Sequence, residues 1–325
     1  MNENNRPLKV LTWHIHGSYL YYLTQTPCEF YLPVKEGRPE GYGGRAGTFR
    51  WTDNVHDVHA SEVKNLDLDC IIFQSPRNYN TDQFEILSDE QRRLPRIYIE
   101  HDPPLQTPTD TKHWVDNPEV HLVHVTHYNQ LMWDNNRTPS HVIEHGVLVN
   151  PDVHWSGKLE KGIVVINNIS DRGRRLGLDV FEKVRKEIPL DLVGMGAEKA
   201  GGLGEIQPPD LAAFISQYRF FFNPIRYTSL GLAVCEAMMI GMPMVGLATT
   251  EMSVTIENGV SGYIHTDVDY LVEKMKNLLK SPQEAAVLSK GAHEVAMKKF
   301  NIERFTKDWE NTLNFVVEKE RLKQI

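Results

Sequence analysis

The 325-residue chain has little of what would mark several protein classes. Its three cysteines, Cys28, Cys70 and Cys235, are scattered and form no CxxC pair. That excludes a disulfide framework and fits reduced thiols in a cytoplasmic protein. No apolar run approaches the roughly 18 residues that cross a bilayer, and the opening MNENNRPLKVLTWHIHG lacks the long apolar core of a signal peptide. Positive charge is short as well: 35 Lys and Arg face 43 Asp and Glu, a formal net charge of −8. This argues against a nucleic-acid partner and leaves at most weak peripheral association with a membrane. Repeats, low-complexity tracts and Ser or Cys nucleophile motifs are all missing.

What is present is an alternation of strand and helix. Apolar runs at 8–15, 69–75, 96–101, 120–126 and 141–147 read as strands, 17–25 as a short helix, and 36–48, with five glycines, as a long mobile loop. The polar stretch 148–162 reads as a linker. The second half continues with strands at 162–168, 190–196, 219–225 and 242–248, and helices over 176–188, 208–218, 231–241, 269–280, 282–300 and 302–319. Pro208 and Pro209 open one helix, and Gly241 with Pro243 closes another. Such alternation predicts two α/β domains, each a parallel sheet wound by crossover helices. Ligands then lie beyond the carboxyl ends of the strands and in the cleft between the domains.

One carboxylate stands out. In YTSLGLAVCEAMMIGMPMVG (227–246), Glu236 sits in the second turn of a helix whose surroundings are apolar or small. An unpartnered buried carboxylate costs several kcal/mol. Residue chemistry alone leaves two readings: a helix edge that finds water or an arginine, or a carboxylate that accepts hydrogen bonds from a ligand's hydroxyl pair. The helix's first turn presents free N–H groups at the end of the preceding strand, a ready anion site.

The stretch resembles the signature of glycosyltransferase family 4, whose members have the GT-B fold of two Rossmann-like doubly wound domains facing a cleft. The family segment runs Glu-Gly-Phe-Gly-Leu, three residues, then Glu-Ala-Met-Ala-x-Gly-x-Pro-Val-Val. Gly231, Leu232, Glu236, Ala237, Met238, Gly241, Pro243 and Val245 match it in order. The resemblance implies that Glu236 binds the ribose hydroxyls of a nucleotide-sugar, with Thr228, Ser229, Leu230, Gly231 and Leu232 around the donor. Thr228 falls where the family has its first Glu, which touches the donor sugar. NNISDRGRRLGLDVF (167–181) resembles the strand, loop and helix that grip the diphosphate. Its expected Lys-Gly is Leu176-Gly177, and the basic charge sits on Arg172, Arg174 and Arg175. A solvated basic loop is the alternative there. LDLVGMG resembles the following strand and places Gly196 at the donor, while HVIEHGV resembles an interdomain segment with His145 in place of Asn.

In the first half the resemblance implies a catalytic role for His101, beside Glu236, and a phosphate-approach role for Gly17. His14 and His16 are candidates to bind the acceptor. The three histidines of HLVHVTH cannot chelate one metal from a strand, because His124 faces away from His121 and His127. The Asp67–Asp69 and Asp267–Asp269 pairs precede a strand and cap a helix. No metal and no cofactor beyond the nucleotide-sugar is expected. The resulting expectation is a retaining, metal-independent cytoplasmic hexosyltransferase-like enzyme. It would move a sugar from a nucleotide-diphosphate-sugar to a glycan, lipid-linked or small-molecule acceptor. Residues 1–150 would bind acceptor, 151–305 donor, and 306–325 would form a helix returning to the first domain. A nucleotide-sugar-binding protein without turnover is the alternative, and a GT-B epimerase or phosphorylase stands behind it.

Overall fold

The computed structural model describes residues 6–323, so Met1–Asn5 of the opening stretch and the last two residues lie outside it. The first part of the chain forms β1 (Lys9–Thr12), α1 (Gly17–Leu23), β2 (Glu29–Val34), β3 (Val55–His59), β4 (Cys70–Phe73), α2 (Gln83–Ile86), β5 (Arg96–Glu100), β6 (Val120–His124), α3 (His127–Met132) and β7 (Ser140–Val142). There follow β8 (Leu159–Val165), α4 (Ile169–Arg172), α5 (Leu178–Val184), β9 (Leu190–Val193), α6 (Pro208–Ile215), β10 (Tyr218–Asn223), α7 (Leu232–Met239), β11 (Met244–Leu247), α8 (Met252–Thr255), β12 (Gly262–His265), α9 (Val268–Lys280), α10 (Pro282–Lys299) and α11 (Ile302–Lys323).

Two compact units result. The first comprises residues 1–144 with 302–325, and the second 145–301. They divide a few residues before the expected positions 150 and 305. The final helix α11 belongs to the first unit, where Phe305 meets Tyr19 of α1 edge-on at 5.7 Å and His141 Nε2 lies 3.0 Å from Thr312 Oγ1.

Each unit is built on one parallel sheet. The first has seven strands in the order β3-β2-β1-β4-β5-β6-β7, the second five in the order β12-β11-β10-β8-β9. Central strands are wholly buried, as both-face coverage by helices requires: β4 and β10 expose no residue. The second core gathers Val164, Leu176, Phe181, Phe220, Phe222, Val245, Leu271 and Met275, and the first Leu11, Trp13, Ile71, Phe73, Tyr98 and Leu122.

The differences from expectation have local causes. β2 and β3 are strands that the sequence reading passes over. β2 carries Pro33, and β3 buries only Val55, so neither shows a strong apolar run. The expected strand 141–147 is reduced to Ser140–Val142. β8 begins at Leu159, inside the expected linker, because Leu159 pairs with Tyr218 of β10. His127 opens α3 rather than extending the strand of His121 and His124.

Candidate functional site

In an open parallel sheet, loops leave a strand in opposite directions where the strand order reverses, and the crevice there takes the ligand. The reversal falls between β1 and β4 in the first unit, and between β8 and β10 in the second. Most of the predicted site residues lie at these two places.

In the second unit, the loops after β8 and β9 are latched together. Asn168 takes a left-handed conformation at φ 51° and donates its N–H to Met195 O at 2.6 Å, while Asn167 Oδ1 accepts from Met195 N. Gly196 lies at φ 67°, a left-handed conformation that favours glycine, and a Cβ there would sit 2.7 Å from Asn168 Oδ1. The segment carrying the arginines is not an open loop: 169–172 form α4, and 173–176 a further tight turn. Gly177 ends it at φ 82°, with its would-be Cβ 2.0 Å from Pro224 O. The arginine turn is thereby pressed onto the end of β10.

The three arginines are not equivalent. Arg174 Nη1 is 2.5 Å from Asp179 Oδ2. Arg226, which the sequence reading did not single out, forks onto the same carboxylate at 2.6 and 2.8 Å and reaches Arg174 O at 2.7 Å. The Arg226 hydrogen bonds hold Asp179 below the usual carboxylate range. The Arg175 carbonyl accepts from Arg226 N and Tyr227 N, which fixes its backbone. Its side chain is half-buried, and Nη1 is enclosed with no acceptor among the described residues. Arg172, half-buried at the end of α4, completes the group.

The turn 227–231 leads from β10 into α7. Leu230 is buried, and its carbonyl accepts a 2.9 Å hydrogen bond from His145 Nε2. A carbonyl only accepts, so Nε2 carries the proton. His145, present where the family has Asn, therefore positions the turn. Gly231 is the N-cap residue at φ −73° and ψ 142°, without a side-chain cap, and a Cβ there would meet nothing within 4 Å. The fold does not demand glycine at 231; the open space beside it leaves the first-turn amides approachable. Glu236 is 8% exposed, on a helix that buries Val234, Cys235, Ala237 and Met238 around it and packs on α10 and β10. In the loop after β11, Glu251 is buried, and Thr249 Oγ1 donates to Ile225 O at 2.8 Å.

In the first unit, His16 and His101 come together with ring centroids 4.0 Å apart, and Tyr19 meets His101 edge-on at 4.7 Å. Gln74, buried at the end of β4, donates from Nε2 to Thr12 Oγ1 and Trp13 O at 3.0 Å each. Its Oε1 lies 3.3 Å from His101 Nε2, so one side chain ties His101 to the end of β1. Glu100, buried just before His101, accepts from Asp102 N and from His113 Nε2, each at 3.0 Å. Burial pushes the Glu100 carboxyl up to about 8 and His113 down to about 4. His14 stands apart, with Nδ1 2.6 Å from Gly44 O, and a Cβ on Gly17 would lie 3.2 Å from its Nε2. Sequence offers no signal for Gln74, Glu100 or Arg226; Gln74 and Arg226 meet partners 27 and 47 residues away.

Both Asp pairs have carboxylates engaged within the protein. Asp69 is forked by Arg6 at 2.7 and 3.0 Å, and Asp267 caps α9 by accepting from Asp269 N. Among the described residues no three His, Cys, Asp or Glu side chains gather as a metal site, and no helix is long and apolar enough to cross a membrane. A cavity of about 320 Å³ lined by Arg6, Leu8, Cys28 and Glu310 opens at the amino ends of β1 and β2, away from both switch points.

Known proteins agree with this architecture. A sequence model described as "Glycosyl transferases group 1" matches residues 160–281. Trehalose synthase of Pyrococcus horikoshii is 33% identical over 84 residues, 26% of this chain, and the match spans about a fifth (20%) of that enzyme's length. Sucrose-phosphate synthase from Thermosynechococcus elongatus superposes with a TM-score of 0.70 at 12% identity, covering 97% of this chain and 100% of that one. HepE of Anabaena, solved in complex with UDP and glucose, gives 0.67 at 12% identity, with 95% and 99% covered. TarM of S. aureus, in a complex that contains UDP, gives 0.59 at 16% identity over 75% and 55%. The chain thus carries a glycosyl transferases group 1 domain over residues 160–281, and its two parallel α/β units have the GT-B fold.

Proposed function

We propose that the protein is a glycosyltransferase that takes a sugar from a nucleotide-diphosphate-sugar bound by its second unit, with retention and without a metal. The observation that carries this reading is the end of β10. A capless helix start at Gly231, the half-buried Arg175 with its enclosed Nη1 and the buried Glu236 lie within one turn–helix segment and the arginine turn pressed against it. A diphosphate fits the cationic arginines and the helix amides. The ribose hydroxyls fit Glu236, as two donors to one carboxylate. As the bond from sugar C1 to the diphosphate breaks, negative charge grows on the leaving oxygen, where these donors stabilise it. The acceptor oxygen bonds to C1 and its proton passes to the departing phosphate. His16 and His101 of the first unit supply polar contacts on the acceptor side.

UDP occurs in the HepE and TarM structures, so UDP-sugars head the donor panel. The test is product formation and thermal stabilisation with that panel in wild type and Glu236→Ala. Each hydrogen bond to a charged group is worth roughly 1.5–3 kcal/mol. Loss of two such bonds is expected to weaken donor binding about a hundredfold or more. Unchanged transfer and donor affinity in the variant would refute the assignment.

A second reading is a nucleotide-sugar-binding protein without turnover. Thr228, uncharged where the family has a carboxylate, is the observation in its favour. A donor that raises the melting temperature yet is neither transferred nor hydrolysed would establish it.

A further inference from the structure

A cluster of aromatic rings in the first unit stands outside its buried core. Tyr21 of α1 stacks on Phe49 with centroids 5.0 Å apart and planes at 19°. Trp51 meets Phe49 at 5.6 Å and Tyr21 at 5.8 Å, both edge-on, and the His14 ring lies 5.8 Å from Trp51. All four side chains are half-buried. Phe49 and Trp51 close the glycine-rich segment, where Gly44 and Gly47 hold positive φ of 56° and 89°. Rings left half in water cost hydrophobic free energy unless something covers them.

The polar groups beside the rings narrow what that something is. His14 Nδ1 faces Gly44 O at 2.6 Å, and a carbonyl only accepts. Nδ1 therefore carries the proton, and Nε2 keeps a lone pair. Gly17 holds a gap between that lone pair and the ring of Phe49: a Cβ there would lie 3.2 Å from both His14 Nε2 and Phe49 Cε2. The indole N–H of Trp51 is enclosed and meets no acceptor among the described residues, an unpaired donor of the kind proteins usually satisfy. Aromatic faces beside a free acceptor suit a ligand that is apolar on its face and hydroxylated around its edge. An acyl chain has no hydroxyl to offer Nε2. A nucleotide brings phosphate; Arg45 is held by Asp57 at 3.7 Å and Arg38 by Gly43 O at 3.4 Å, while exposed Arg50 stands between Phe49 and Trp51, so a nucleotide is the competitor that the test has to separate.

We propose that Tyr21, Phe49, Trp51 and His14 form a saccharide subsite, in which a pyranose ring lies on the aromatic platform and donates a hydroxyl to His14 Nε2. Resting on the glycosyl-transfer reading, this makes the acceptor a carbohydrate rather than a lipid headgroup or an aglycone.

The test is saturation-transfer NMR on the full chain with methyl glycosides of glucose, galactose, mannose and N-acetylglucosamine and their disaccharides. At least one is expected to bind. Phe49→Leu, which keeps apolar volume and removes the ring, is expected to weaken it about tenfold, the order of a lost stacking contact. Phe49→Tyr restores the ring and is expected to restore binding. Three results would each overturn the proposal: Phe49→Leu binding as wild type does, uridine monophosphate displacing the saccharide, or every glycoside failing while phosphatidylglycerol vesicles bind. Thermal shifts with UDP-sugars are read in parallel and are expected to be equal in wild type and Phe49→Leu. If wild type shows no such shift with any nucleotide-sugar, the transfer reading falls separately, and the saccharide result stands or falls on the NMR.

Discussion

Lowering the pH from 7 to 5 is expected to destabilise the first unit by about 3 kcal/mol, and the reason lies in histidines folded without room for a second proton. His124 is fully buried at the end of β6; its Nε2 donates to Asn135 Oδ1 at 2.9 Å, while Nδ1 is enclosed with no partner among the described residues. His113 has both nitrogens committed, Nε2 to Glu100 and Nδ1 to the N–H of Val115 at 3.0 Å, so protonation at Nδ1 evicts that amide. His121 Nε2 is 2.7 Å from His141 Nδ1, and the pair can share one proton but not hold two apart. Burial pushes His113, His121 and His124 each to about 4, with His141 and Lys319 adding to the effect at His121. A base whose folded pKa is lowered binds fewer protons folded than unfolded. Its contribution to stability is therefore intact above about 6.5 and is lost as pH falls from there through 4.

Each of the three histidines loses roughly 2 kcal/mol between pH 7 and 5 by this linkage. Glu100 runs the other way. Its carboxyl is pushed up to about 8 by burial, so the folded state gains protons there and is favoured by acid, by roughly 2–3 kcal/mol over the same interval. The net of about 3 kcal/mol is a large part of a typical domain's stability. Five of the six tryptophans, Trp13, Trp51, Trp114, Trp133 and Trp309, belong to the first unit, so urea unfolding followed by tryptophan emission reports on it. The urea midpoint is expected to fall by about 1.5 M from pH 7 to 5 at constant ionic strength. His124→Leu is expected to cost about 1 kcal/mol at pH 7, from the unpaired Asn135 carbonyl, and to remove about 2 kcal/mol of the pH dependence. A wild-type midpoint independent of pH, or a His124→Leu variant with the full slope, would refute the reasoning.

Three further outcomes follow from the second unit. Gly177→Ala places a Cβ 2.0 Å from Pro224 O at φ 82°, and is expected to cost about 3 kcal/mol in urea unfolding, one or two of it for left-handed alanine and the rest for displaced backbone. Arg219 is buried and donates to the carbonyls of Gly157, Leu278 and Leu279; Arg219→Met leaves these without a donor and is expected to destabilise by at least about 3 kcal/mol, measured the same way. Arg175→Ala is expected to lower donor affinity by tenfold or more in calorimetry with a UDP-sugar, and Arg174→Ala, whose charge Asp179 already holds, by less than threefold.

The second unit was far more legible in the sequence than the first. Its strands are short apolar runs between helices with clear starts, such as Pro208–Pro209 before α6, and its signature stretch carries Gly231 and Glu236 in one ordered match. In the first unit, β2 and β3 owe their existence to pairing: Phe30 aligns with Val55 and Leu32 with Asp57 along an edge of a sheet whose centre is elsewhere. Local pattern registers what one strand buries, not what its neighbour supplies. The same limit governs the site. His145 holds Leu230 from 85 residues away, Arg226 meets Asp179 across 47, and Gln74 meets His101 across 27. Such contacts are set by the order of strands, and strand order is invisible to spacing.

That limit is sharpest at the arginines, where sequence offered three equivalent cations and the fold makes them unequal. Arg174 and Arg226 share the single carboxylate of Asp179, two positive charges against one negative. Their shared partner pins the turn, and the turn's own carbonyls at Arg174 and Arg175 accept from Arg226 and Tyr227. The Arg175 guanidinium is thus carried on a backbone that cannot easily move, with Nη1 out of water and no protein anion on it among the described residues. A half-buried cation with one donor in that condition is poorly compensated in the unliganded state and favours whatever anion arrives, since the ordering was completed on folding. On the transfer reading proposed above, Arg175, rather than the more exposed Arg174, is where a donor's diphosphate would gain most.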